Sequence, residues 1–94
     1  MSKVWFVTGA NSGFGTSIAK AALDAGDQVV ATARNMNKLR AAFPDIHDNL
    51  ALVQLDVADV GQAETALAEA VARFGRIDVV VNNAGNSTSA ISRS

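Results

Sequence analysis

The sequence predicts an α/β layered fold built on four parallel strands, and three observations carry the prediction. Short runs rich in branched and aromatic residues alternate with stretches in which apolar residues recur every three or four positions. Glycines stand where one period gives way to the other. Helical stretches between successive strands supply the crossovers that parallel pairing needs, so the order reads βαβαβαβ.

The first strand is Lys3-Val4-Trp5-Phe6-Val7-Thr8, bounded by Gly9 and apolar without interruption from Val4 to Val7, as a strand buried on both faces should be. From Gly13 the period changes. Phe14, Ile18, Ala21, Ala22 and Ala25 mark one helix face, and Gly26 ends it. Gln28 to Ala33 reads as the second strand, with Arg34-Asn35 as its exit, and a short helix covers Met36 to Ala42. Pro44 and the polar stretch from Asp45 to Asn49 break that helix; Leu50 to Leu55 then forms the third strand, ending at Asp56.

Between Val60 and Phe74 helical spacing returns, and Val60, Ala63, Leu67, Val71 and Phe74 are expected to form the core stripe while Glu64, Glu69 and Arg73 face water. A second set, Ala63, Ala66 and Ala70, points to close packing of this helix on the sheet. Gly75 terminates the helix and Ile77 to Val81 is the fourth strand. Residues 1–85 are therefore expected to form one unit, and the serine-rich stretch 86–94 a flexible tail.

Bulk properties narrow the function. Ninety-four residues, 49% of them hydrophobic, suit one small domain. With 8 basic and 9 acidic residues the net charge is −1, which gives no broad attraction for nucleic acid or anionic membranes, so any phosphate must be held locally. No cysteine is present, which removes disulfides and thiolate metal ligands, and the single histidine, His47, falls in a polar loop and is expected to face solvent. No metal site is predicted. The apolar run Val4 to Val7 is too short for a signal peptide or a span, and a soluble, cytoplasmic protein is expected.

Thr8-Gly9-Ala10-Asn11-Ser12-Gly13-Phe14-Gly15 joins the first strand to the first helix. A glycine loop alone is most often just a turn, but between strand and helix it lets backbone approach a pyrophosphate over the unsatisfied N–H groups of the helix start. Lys20 lies well inside the helix and no Lys-Ser/Thr pair follows the last glycine, so dinucleotides fit better than nucleoside triphosphates. At the end of the second strand, where an acidic residue would accept from an adenosine ribose, stand Arg34 and Asn35. A guanidinium there suits a 2′-phosphate and favours NADP(H) over NAD(H), although an arginine in such a loop also simply solvates a surface. Asp56 closes the third strand, where it either accepts from an adenine amino group or caps the following turn.

Together these residues resemble the short-chain dehydrogenase/reductase family. The resemblance rests on Thr8-Gly9-x-x-x-Gly13-x-Gly15, on Asp56-Val57 and on Asn82-Asn83-Ala84-Gly85, three motifs in order over residues 3 to 85. It implies a three-layer Rossmann-like half-domain with strand order 3-2-1-4. It also implies that Asn11, Ser12 and Phe14 line the path from pyrophosphate to nicotinamide, that Asp56 and Val57 position the adenine, and that Asn83, Ala84 and Gly85 border the cofactor ribose. Phe14 stands where the family usually has isoleucine, which adds bulk but keeps the backbone donors.

Hydride transfer to a carbonyl also needs a proton donor and fixed polar groups beside the acceptor. The family supplies these with a further Asn, a Ser and a Tyr-x-x-x-Lys pair; this chain contains no tyrosine, so no catalytic residue is assigned. The expectation is an NADP(H)-binding portion of an oxidoreductase, inactive alone. The alternatives are a self-associating structural fragment with little cofactor affinity, or one half of an enzyme completed by a separate C-terminal fragment. By the family's strand order the fourth strand would lie at an open edge, from which a homodimer or higher assembly through that edge or an uncovered sheet face is expected.

Overall fold

β1 (Val4–Thr8) runs through the middle of the sheet in the computed structural model, which describes residues 3–11, 13–44, 48–56, 59–82 and 90–93. On one side of it lie β2 (Gln28–Ala33) and, outermost, β3 (Leu50–Gln54); on the other lies β4 (Val79–Asn82). These four strands are parallel and in the order 3-2-1-4, as expected. The chain steps outward through α1 (Gly13–Asp24) and α2 (Met36–Ala42), then returns past β2 and β1 through α3 (Val60–Phe74). Reversing the direction of travel with right-handed crossovers puts α3 on the opposite face from α1 and α2, which makes three layers.

Two cores follow from that layering. Under α1 and α2, Val7, Val29, Ala31, Val79 and Val81 pack against Ala19, Ala22 and Leu39. Under α3, Phe6 and Val30 pack against Ala66 and Ala70, with Ala63 and Phe74 partly buried beside them. Small side chains on α1 and α3 let those backbones approach the branched residues of the sheet closely.

The expected core stripe of α3 is corrected by this packing. Ala63, Ala66, Ala70 and Phe74 face the sheet, whereas Val60 is 72% exposed, Val71 47% and Leu67 38%. Val60, Leu67 and Val71 sit roughly 40–80° around the helix from Ala63, so a helical period includes them while the sheet reaches only the alanine side. The ends of α3 agree with the sequence. Asp59 caps the first turn by accepting from the Gln62 amide at 3.2 Å, and Gly75 closes the last at φ 86°, a left-handed conformation that a side chain disfavours.

A second correction concerns the C-terminal stretch. Residues 90–93, expected in a tail outside the fold, form β5 (Ala90–Arg93), antiparallel to β4 with Val81 opposite Ile91 and Asn82 opposite Ala90. β4 is therefore not the open edge inferred from four strands; β5 sits on it. A strand edge exposes backbone donors and acceptors that any extended segment can satisfy, whatever its side chains, so serine-rich composition did not forbid pairing. The rest of the expected tail and His47 lie outside the described residues.

Two carboxylates fasten the opposite end of the sheet. Asp27 accepts from the Lys3 amide at 3.0 Å and the Trp5 indole Nε1 at 2.9 Å. Asp78 accepts from the Val4 amide and from Arg76 Nε, both at 2.8 Å. The backbone hydrogen bonds from Lys3 and Val4, aided by Trp5 and Arg76, hold both carboxyls below their ordinary value of 3.8. A carboxyl whose pKa is depressed on folding stabilises the native state above its unfolded pKa, and that contribution disappears as pH falls through the folded value. The urea midpoint should therefore decline as pH drops from about 5 towards 3, and less steeply in a D27N/D78N double variant. Parallel pH profiles for the two proteins would refute this role.

Candidate cofactor-binding site

The C-terminal ends of β1 to β4 share one edge of the sheet because all four strands run the same way, and in open α/β sheets the crevice beyond that edge is where ligands bind. Register brings the relevant positions level: Ala33 pairs with Gln54 and Thr8 with Asn82. The loop after β1 is anchored at several points. Gly9 adopts φ 62°, turning the chain sharply, and the Ala10 amide then donates to the Thr32 carbonyl at 2.9 Å. Thr16 Oγ1 donates to the Ala10 carbonyl, which ties the loop to the first turn of α1. Two buried threonines brace the strands beneath it: Thr32 Oγ1 donates to the Val7 carbonyl at 3.0 Å and Thr8 Oγ1 to the Val81 carbonyl at 3.4 Å.

α1 starts at Gly13 with no acidic residue in its first turn, so its positive end is not offset locally. A Cβ built at Gly13 would meet nothing within 4 Å, leaving open space above the backbone at the helix start. Phe14 is 57% exposed beside it and Gly15 is buried against the fold. Asn11 is half-buried in the turn itself. A negatively charged group above Gly13 would meet the N–H groups of the helix start, an arrangement suited to a pyrophosphate.

At the neighbouring strand ends, Arg34 and Asn35 are exposed. Asn35 Oδ1 accepts from the amides of Asn37 at 2.9 Å and Lys38 at 3.2 Å, so its side chain works as the N-cap of α2. Gln54 Nε2 donates to the Arg34 carbonyl at 3.2 Å. Asp56 is half-buried just past β3, where Leu55 donates its amide to the Ala33 carbonyl at 2.9 Å and the Asp56 amide donates to Gln62 Oε1 at 2.9 Å. The cap of α3 is Asp59, and the Asp59 amide in turn donates to the Asp56 carbonyl at 2.9 Å, closing the turn that follows Asp56.

Of the thirteen residues picked from the sequence, Gly9, Asn11, Gly13, Phe14 and Gly15 come together at the end of β1, with Arg34, Asn35 and Asp56 along the same edge. Ser12, Val57, Asn83, Ala84 and Gly85 lie outside the described residues. Sequence reasoning assigned no role to Thr16, Thr32, Gln54 or Gln62. Nothing local marks them, because each acts on backbone six or more residues away. Among the described residues no group of His, Asp and Glu could hold a metal ion, and no helix is long and apolar enough to cross a membrane.

Comparison with known proteins places this geometry. The family model for short chain dehydrogenases matches residues 3–93. The solved structure of a short-chain dehydrogenase from Streptomyces avermitilis is 48% identical and superposes with a TM-score of 0.78 over 92% of this chain and 32% of that one. An NADP-dependent 3-hydroxy acid dehydrogenase of Escherichia coli K12 is 40% identical over 79 residues, 84% of this chain and 32% of that protein. A 3-ketoacyl-(acyl-carrier-protein) reductase from Brucella melitensis, solved with NADH, is 31% identical with a TM-score of 0.77, over 83% of this chain and 32% of its own. The chain thus spans about a third of the length of the relatives it matches.

Proposed function

From the premise that this chain belongs to the short-chain dehydrogenase family, we propose that it is the NADP(H)-binding portion of an oxidoreductase that transfers hydride between NADP(H) and a carbonyl or alcohol substrate. The observation that carries the reading is Arg34. It stands exposed one residue beyond β2, on the sheet edge that also carries the glycine loop, where a ribose-binding acid would repel a 2′-phosphate and a guanidinium attracts one. An NADP-dependent relative supports this choice, while the relative solved with NADH keeps the other cofactor in the comparison.

In this reading the start of α1 and the loop from Gly9 to Gly15 hold the pyrophosphate, Arg34 the 2′-phosphate and Asp56 the adenine, and the bound nicotinamide supplies the hydride chemistry. Ser12, Val57, Asn83, Ala84 and Gly85 complete the site by resemblance. Calorimetric titration with NADP+ and NAD+ tests it: the expected result is NADP+ binding at least about tenfold tighter, worth about 1.4 kcal/mol. Equal affinities or a preference for NAD+ would refute the NADP(H) assignment.

A second reading, a self-associating fragment with little cofactor affinity or one half of a complementing enzyme, draws on the exposed Val60, Leu67 and Val71 and on Val80 left partly buried on the same side of the sheet. Absence of heat with both cofactors would favour it.

A further inference from the structure

We infer that Gln54 and Gln62 are positioning residues for the adenosine end of the site, an inference that rests on the cofactor reading above. Both line one groove between β3 and α3, and from it each reaches a backbone group of a residue assigned to the cofactor. Ala33 pairs with Gln54 at the end of the β2–β3 ladder, so Arg34 lies just beyond the described pairing. Gln54 Nε2 holds the Arg34 carbonyl at 3.2 Å, and on the following side Asn35 is held by its own cap to Asn37 and Lys38. The two-residue connection between β2 and α2 is thereby fastened at both ends. A long flexible cation discriminates a 2′-phosphate well only if its root is fixed, because ordering that root on binding costs affinity.

Gln62 performs the complementary task. Its Oε1 accepts from the Asp56 amide at 2.9 Å while its backbone N–H donates to Asp59 Oδ1 at 3.2 Å, which couples Asp56, two residues past β3, to the start of α3. A primary amide suits both jobs, since Gln54 must donate to a carbonyl and Gln62 must accept from an N–H. The consequences differ. Gln54 supports the residue that reads the 2′-phosphate, whereas Gln62 supports the residue facing the adenine that NADP+ and NAD+ share.

The test uses Gln54→Met and Gln62→Met, which keep length and remove the hydrogen bonds at exposed positions, with thermal melts to establish that both fold. Gln54→Met should weaken NADP+ binding by about threefold to tenfold and leave NAD+ nearly unchanged, while Gln62→Met should weaken both alike. A cofactor-free readout separates this inference from its premise. Backbone 15N relaxation should show Arg34 and Asn35 gaining mobility in Gln54→Met, and the Asp56 amide should exchange faster in Gln62→Met. Unchanged backbone dynamics would overturn the inference whether or not either cofactor binds. A mobilised turn with an unchanged NADP+ to NAD+ ratio would also overturn it, leaving Gln54 a sheet-end fastener. A wild-type chain that binds neither cofactor would refute the function proposed above, and the adenosine-positioning role with it.

Discussion

Arg34→Ala is expected to weaken NADP+ binding by about tenfold to a hundredfold while changing NAD+ binding little, because only NADP+ carries the 2′-phosphate that a guanidinium would grip by charge-assisted hydrogen bonds. Arg34 is exposed, so the same selectivity should shrink as salt is raised, through screening of the phosphate charge. Titration of both cofactors at low and high ionic strength checks both statements. Equal losses for the two cofactors would mean that Arg34 supports the turn without reading the phosphate. That outcome would reassign the residue and remove the main argument for NADP(H).

Leu39→Ala should have the largest effect on stability. Leu39 is fully buried in α2 within the core formed by Val29, Ala31 and Leu50, and truncating such a leucine costs about 2–5 kcal/mol. At about 0.05–0.15 kcal/mol per residue, 94 residues hold about 5–14 kcal/mol in all, so the variant should lose a large share of the margin and melt well below the wild type by circular dichroism. Leu67→Ala provides the contrast. It lies 38% exposed on α3, outside both cores, and should shift stability by no more than about 0.5 kcal/mol. Similar losses for the two variants would mean that the outer flank of α3 is covered in solution.

That contrast shows where sequence reading succeeds and where it stops. The helices and the first four strands were legible because period and punctuation are local: Gly26 follows the end of α1 and Gly75 that of α3 for reasons confined to one turn of chain. The glycine loop was legible because its residues are consecutive. The sheet-facing side of α3 was legible only in part: Ala63, Ala66 and Ala70 were expected to pack on the sheet and do, but Val60, Leu67 and Val71 satisfy a helical apolar period as well and were expected in the core too. Only close approach to Phe6 and Val30 selects the alanines.

By itself, then, the sequence determined the order of elements from β1 to β4, the parallel layered architecture and the glycine loop at the end of β1, because each follows from nearest neighbours along the chain. Tertiary structure alone decided the rest. It placed β5 on the edge of β4, chose the buried flank of α3, joined Val4 to Asp78 and Lys3 to Asp27, and set Gln54 and Gln62 against the backbone of Arg34 and Asp56. Those contacts pair groups far apart in the chain, and a backbone donor or carbonyl looks the same at every residue until folding brings one partner within reach.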